Sequence, residues 1–541
     1  MVANNPLIKS SGTARSTIFG SDDRVMRWAD KVSVVVAFLA ALPLMVVHPA
    51  FLQDWPNHIA RSEIVVSLLR GNPFWRPFYT VNGPFVPNMA SDVGMVVPEL
   101  LGVPPDIASS LFLVFTYGLL ISGGAALARA FGAYDRTTLL LLVLLFYTGT
   151  LFYGLVNYIV GIGSMLWVLA FWHRARSRTQ YAVICVGVAF VFFAHLIAAT
   201  LLVLLILVQE ASVIWHTPKR DWPVLKQHAT GVAGLLVLGV LAALSTVGHG
   251  GSEGGILYTN GPSIFAVLVA KVVRVVHTLV DGGGMIGAIL LLVGLAVWIA
   301  AISCDGCIMP RDGAVFLLVP FLLFLAMPAK IGEADTLDYR MVLVGLLLAA
   351  TMMRVAWKSQ ARAVFVWGML LLTVIGRTAV VTAALVQRSH TLADFDRLIQ
   401  TIPPDSMLLT GVGEEHVPWL QYWNPPLIML ASRAARVGVF VPSVFALESQ
   451  HTLVLRPHYR ALAQWELTDT ETHLVEAHRR LKQVCTDWNR THSGAVLMLV
   501  VYPSVEIDHA LSSDRVLAAG NRFRLVDACE LGTSYTKSLR G

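Results

Sequence analysis

Apolar runs close to 20 residues recur through the first three-quarters of this 541-residue chain. That is the length needed to cross about 30 Å of hydrocarbon as a helix. Hydrophobic residues make up 56% of the chain and charged residues 14%, against about 25% charged in an ordinary soluble protein. A string of soluble domains is excluded for most of the length. The sequence predicts a polytopic membrane protein.

Eleven spans account for the pattern. The first runs from Lys31 to Ala50 and the second from Ile107 to Phe131. The stretch Thr137–Trp172 is too long for one helix and is split where Gly149, Gly154 and Asn157 interrupt it; Tyr181–Trp215 is split near His195. Ala229–Val247, Met285–Ile302, Ala314–Ala329, Met341–Trp357 and Ala363–Val386 complete the set. Ile264–Val280 is apolar but carries Lys271, Arg274 and His277 at roughly helical spacing. A charge at the bilayer centre costs at least about 2.5 kcal/mol, so this segment reads as an amphipathic interfacial helix. A twelfth span lining a cavity is the alternative.

The net charge of +6 does not point to nucleic acid. The basic residues cluster in short loops, as at Arg174, Arg176 and Arg178, at Lys219, Arg220 and Lys226, and at Arg311, which is the bias that keeps Lys and Arg cytoplasmic. No small-residue cleavage site follows the first apolar run, which is expected to stay as an anchor. The domain reading is therefore a cytoplasmic tail 1–30, a transmembrane domain 31–387 with a large first outer loop 51–106, and an outer tail 388–541. Nearly all non-helical mass falls on the outer, periplasmic face of a bacterial inner membrane.

The tail alternates charged helical stretches such as Thr472–Asn489 with β-rich runs at Met407–Val412, Thr452–Leu455, Val496–Val501 and Phe523–Val526. That pattern predicts a small soluble α/β domain. Cys485 and Cys529 both lie in it, where an oxidising compartment permits a bridge that spacing alone does not establish. Cys304 and Cys307 form a lone C-x-x-C on a cytoplasmic loop, short of the ligands zinc needs, and read as reduced thiols.

The first outer loop opens Phe51-Leu-Gln-Asp-Trp-Pro-Asn-His-Ile-Ala-Arg61. Pro56 suits an early helical position, which puts Asp54 at or near an N-cap and His58 and Arg61 on one helical face. Two readings stand side by side. Asp54 is a cap with His58 and Arg61 against lipid headgroups, or the three converge on chemistry at the membrane boundary.

An acidic residue directly after the first span, a long first outer loop and juxtamembrane helices resemble the GT-C superfamily of membrane glycosyltransferases. Gln53–Arg61 is similar to the D-x-P-x-H opening of many bacterial members, and Ile402-Pro-Pro-Asp-Ser406 to a stretch in the outer domain of one bacterial group. The resemblance implies a sugar donor on a polyprenyl phosphate and a glycan, lipid or protein acceptor at the outer face. It implies inverting transfer, with Asp54 as the base that takes the acceptor hydroxyl proton. His58 joins it as a catalytic candidate and Arg61 as a substrate-binding one. Many members carry two adjacent acidic residues where this chain has Gln53-Asp54. A second carboxylate must then come from elsewhere, with Asp92 first and Glu63 and Glu99 behind it; Asp92 as a solvated or capping residue is the other reading. Use of a divalent metal, Mg or Mn, is left open.

A lipid-phosphate leaving group calls for a guanidinium near the membrane surface. Arg340, next to Tyr339 at the outer entrance of the tenth span, fits that role and equally fits interfacial anchoring. Lys271, Arg274 and His277 read mainly as contacts to membrane lipid headgroups. Asn157 and His195 either line the cavity or join helices by hydrogen bonds. Gly248–Gly255 lacks the features of a phosphate loop and reads as a mobile lid, and Glu414, Glu415 and His416 as solvated surface. A lipid-linked-sugar flippase and a non-catalytic envelope scaffold are the competing functions, although no internal repeat of the transporter kind is visible.

Overall fold

The computed structural model describes residues 23–83, 86–174, 178–216, 230–246, 256–257, 263–279, 284–310, 313–328, 330–331, 337–412, 426–444, 446, 451–463, 481–501, 516–520 and 523–529. The Gly248–Gly255 loop, the Glu414–His416 cluster, the Lys219–Lys226 cluster, Arg176 and Arg311 lie outside the described residues, as does the start of the Thr472–Asn489 stretch.

The membrane part is a helical bundle. In chain order its helices are α1 (Asp23–Leu39), α2 (Leu42–Val46), α3 (Trp55–Leu69), α4 (Ala90–Leu100), α5 (Pro105–Ala130), α6 (Arg136–Phe146), α7 (Gly149–Phe152) and α8 (Val156–Arg174). They continue as α9 (Arg178–Ala194), α10 (Leu196–His216), α11 (Thr230–Thr246), α12 (Ile264–Leu279), α13 (Gly284–Asp305), α14 (Gly313–Ala326), α15 (Leu337–Met352) and α16 (Gln360–Ile399). Among the described residues five helices are long and apolar enough to cross a membrane: Trp28–Val46, Pro105–Ala130, Val156–Arg174, Gly284–Asp305 and Gln360–Ile399. Shorter apolar helices lie between them. The long stretches break close to where the sequence placed the interruptions, with α6 ending at Phe146, α7 at Phe152 and α9 giving way to α10 at His195.

Close helix packing depends on small residues, because lipid supplies no hydrophobic drive between helices. A Cβ on Gly123 of α5 would come 2.6 Å from the Gly163 carbonyl of α8, so these two helices touch backbone to backbone. Several charged side chains are buried in the bundle, Arg377 among them. Arg377 of α16 is 1% exposed and donates to the carbonyls of Gly287 and Tyr147. The Tyr147 carbonyl is left over at the α6–α7 break, and a guanidinium inside apolar surroundings takes it up.

Helix α12 is amphipathic in an inverted sense. Phe265, Leu268, Val272 and Val276 are exposed while Lys271 is buried. Its charges face protein, not headgroups, which corrects the lipid-contact reading of Lys271. The side chain of His277 lies outside the described residues.

The first long loop, 51–106, and the tail share a single hydrophobic core. Phe51, Ile64, Trp75 and Phe78 pack with Leu430, Phe440, Leu499 and Phe523. Strand Tyr79–Val81 from the loop pairs antiparallel with Leu453–Leu455 from the tail, with Thr80 opposite Val454. In the tail itself Met407–Val412 runs parallel to Val496–Val501, which pairs antiparallel with Phe523–Asp527, and that strand with Val516–Gly520. The side chains of Val496–Val501 are all buried, as a strand covered on both faces requires. Cys485 and Cys529 form a disulfide.

Residue 387 is not a linker. α16 runs unbroken for 40 residues, about 60 Å at the α-helical rise, and carries the last span into the core shared by the first loop and the tail. Its Asp396 accepts a two-pronged bond from Arg433 at 2.7 and 2.5 Å. Arg436, on the same 3-10 run Pro426–Val437, binds Asp106 at 2.9 and 2.6 Å and Glu63 at 2.7 Å. Tail, first loop and membrane helices are thus clamped by charge. Arg433 is 2% exposed, so Arg433→Met should cost about 2 kcal/mol, the scale of a lost charged hydrogen bond. Thermal unfolding in detergent, read alongside limited proteolysis of the loop–tail half, measures that loss.

Candidate functional site

The site begins where the first span hands over to α3. The Gln53 and Asp54 N–H groups donate to the carbonyls of Phe152 at 2.9 Å and Tyr153 at 3.2 Å. The chain at α7 can receive them because it turns at Gly154, whose φ is +84°. A Cβ there would sit 2.7 Å from the Asp54 nitrogen and 2.9 Å from its Cβ. Asp54 is therefore pinned by main chain against a glycine.

Asp54 occupies the N-cap position, yet its own backbone is helical (φ −84°, ψ −7°) and its side chain makes no cap hydrogen bond. Its carboxylate is left for other work. Burial pushes its pKa up to about 7, opposed by the positive charge of Arg340.

Arg340 comes from the first turn of α15, far along the chain. Asp338 Oδ1 accepts the Tyr339 N–H at 2.9 Å and so starts α15. The Tyr158 hydroxyl donates to the Arg340 carbonyl at 2.9 Å, and the guanidinium lies 5.7 Å from the Tyr158 ring centre. Arg340 Nη1 is 3.2 Å from His195 Nε2, at the α9–α10 break. The Tyr339 ring is 5.7 Å from that of Tyr153, the residue whose carbonyl holds Asp54. Asp54, Tyr339, Arg340 and His195 thus form one contiguous group. A second cation stands nearby: the Arg388 guanidinium is 5.3 Å from the Phe152 ring, and its Nη1 is 3.5 Å from the Phe51 carbonyl.

The remaining candidates form a separate group. Arg61, 0% exposed, donates from Nε to Asp92 Oδ1 at 2.7 Å, with Nη2 2.6 Å from the same oxygen. The hydroxyl of Thr452, from the tail, donates to Asp92 Oδ2. His58 Nδ1 lies 3.0 Å from both Arg61 Nη2 and Ser91 Oγ. Burial, and then Arg61, lower the His58 pKa well below the usual imidazole range. Asn157 accepts the Ser91 N–H at 2.7 Å and donates to the Asn88 carbonyl at 2.6 Å, tying the first loop to α8. So His58 and Arg61 do share a helical face, while Asp54 is tied to Tyr153 through its main chain.

The reserve carboxylates lie further off. Glu63 pairs with Arg436 at 2.7 Å. Glu99 accepts the Ser62 hydroxyl at 2.7 Å, and burial pushes its pKa up to about 7 against the effect of that bond. Among the described residues no three His, Cys, Asp or Glu side chains are grouped as a metal centre requires, and Asp92 is already engaged by Arg61. The donor set does not fit a divalent metal at Asp54.

An apolar groove of about 660 Å³ lies between α4, α5, α8 and α9, walled by Val93, Phe112, Phe115, Phe190 and Phe193, with Ala194 part of its lining. Phe193 is two residues from His195.

The Gly154 contact yields a paired test. Gly438 also has a positive φ, +76°, but a Cβ there would meet nothing within 4 Å. Gly438→Ala should cost about 1 kcal/mol of backbone strain. Gly154→Ala should cost at least about 2 kcal/mol, because overpacking against Asp54 is added; equal losses in thermal unfolding would remove the contact.

Neither a family model nor a curated protein matches the sequence. Solved structures do. ArnT from Cupriavidus metallidurans in the apo state is similar over 93% of this chain and 99% of its own, with a TM-score of 0.50 and 13% identity. The same protein bound to undecaprenyl phosphate is similar over 92% and 98%, with a TM-score of 0.51 and 13% identity. A likeness that spans both chains nearly end to end at so low an identity is a likeness of fold. The chain shares the fold of ArnT.

Proposed function

We propose that this protein is a GT-C-type membrane glycosyltransferase. It moves a sugar from a polyprenyl-phosphate carrier to a glycan, lipid or protein acceptor on the periplasmic face of the inner membrane. One observation carries the reading. A carboxylate that its helix does not use as a cap stands in the field of a guanidinium brought from nearly 300 residues away. The solved relative of this fold bound to undecaprenyl phosphate supports the lipid carrier, and the apolar groove beside His195 suits its prenyl chain.

In the proposed reaction Asp54 takes the proton from the acceptor hydroxyl as that oxygen attacks the anomeric carbon. The bond from that carbon to the phosphate oxygen breaks, its electron pair leaves with the phosphate, and configuration inverts. Arg340 holds the phosphate as its negative charge grows, with Arg388 as a second cation. His195 and Tyr339 line the donor side. His58, Arg61 and Asp92 hold the first loop to the tail, and Asn157 fixes that loop to the membrane bundle; we assign these four to support. No step is routed through a metal.

A base must be deprotonated to act, and the Asp54 pKa is raised to about 7. Activity is therefore lost as pH falls through 7, not through the ordinary carboxylate range near 4. Purified protein given radiolabelled polyprenyl-phosphate sugars should show kcat/KM falling about tenfold per pH unit below 7 and flat above it. Asp54→Asn should abolish transfer without loss of folded protein. Transfer at the normal rate in that variant, or carrier movement with no bond cleavage, would sink the enzyme and favour a flippase.

A further inference from the structure

The first turn of the helix that carries Arg340 is held by Asp338, the residue before Tyr339, whose Oδ1 accepts the Tyr339 N–H at 2.9 Å. Asp338 is 0% exposed, and a carboxylate so placed needs partners. They come from α12. Lys271 Nζ donates to Asp338 Oδ2 at 2.8 Å, and Arg274 Nη1 is 3.4 Å from Oδ1. Lys271 also donates to the carbonyls of Phe324 at 2.8 Å and Met327 at 2.9 Å, at the C-terminal end of α14. Such carbonyls have no partner within their own helix. Thr278, two turns along α12, is 3.3 Å from the Tyr339 carbonyl. One ammonium therefore ties three elements together at the start of the helix that presents Arg340.

We propose that Lys271 and Asp338 are positioning residues for Arg340, setting the register of Leu337–Met352 so that the guanidinium meets the carrier phosphate. The proposal rests on the glycosyl-transfer reading of the site. Neither residue touches substrate. Helix α12, with its apolar face outward, is the bracket through which the membrane-level wall of the site is held in place.

Removing one partner would leave a buried charge uncompensated and confuse stability with positioning. The decisive variant is the double replacement Lys271→Met with Asp338→Asn, which deletes both charges with little change of volume. Full-length protein in nanodiscs is titrated with undecaprenyl phosphate, and its melting temperature and sugar transfer are recorded in parallel. Wild type should bind saturably, and Arg340→Gln should bind at least tenfold more weakly. The double variant should also lose at least tenfold in binding while melting within a few degrees of wild type, and Lys271→Arg should restore most of the affinity. Should the double variant not fold, Arg274→Gln, at a half-buried position, decides: about threefold weaker binding supports the role, and unchanged binding removes it. A folded double variant that binds as tightly as wild type overturns the proposal alone. Wild type that binds the lipid phosphate but transfers no sugar overturns the enzyme reading, while the same binding series still judges the positioning role. Wild type that binds no lipid phosphate ends both.

Discussion

Asp54 is placed by main chain rather than by its own side chain, and the candidate site depends on that. Two N–H groups from residues 53 and 54 bond to carbonyls freed where the long Thr137–Trp172 stretch breaks. Gly154 lets the two segments touch. Because the backbone bonds already satisfy the start of α3, the carboxylate is not drawn into capping. It stays in a partly buried spot where it is costly to ionise, and where a nearby guanidinium lowers that cost. A group in this state is poised between base and acid near neutral pH.

The same logic of satisfying what the bundle leaves unsatisfied recurs elsewhere. Arg377 takes up the Tyr147 carbonyl at one break, and Lys271 takes up the last carbonyls of α14. Asn157 anchors the first loop with both ends of its amide. Each is a polar group at membrane depth that neighbouring backbone accommodates. Outside the membrane part the clamps are ion pairs, with Arg61, Arg433 and Arg436 each joining segments far apart in sequence.

What the sequence disclosed was whatever is local. The apolar runs, the interruptions near Gly149, Gly154 and His195, and the strands at Met407–Val412 and Val496–Val501 are written in composition and spacing, and the helices and strands fall there. Non-local facts were not legible. Lys271 looked like a lipid contact because its partner Asp338 lies 67 positions away. Arg377 passed unnoticed because one charge hardly alters the average of an apolar span. The pairing of Thr80 with Val454, which merges the first loop with the tail, leaves no trace in either segment. Helical spacing put His58 beside Arg61, but it could not say that the main chain of Asp54 bonds to Tyr153; that is set by α7.

Across a likeness of fold at 13% identity, only this chain's own residues can say where a lipid phosphate docks. The most direct measurement is a cryo-electron-microscopy map of the protein with undecaprenyl phosphate bound. Phosphate density within hydrogen-bond reach of the Arg340 guanidinium, on the side facing Asp54, with the prenyl chain entering along Phe112 and Phe193, is the predicted result. Phosphate density at a site from which neither Arg340 nor Asp54 can be reached would contradict the account.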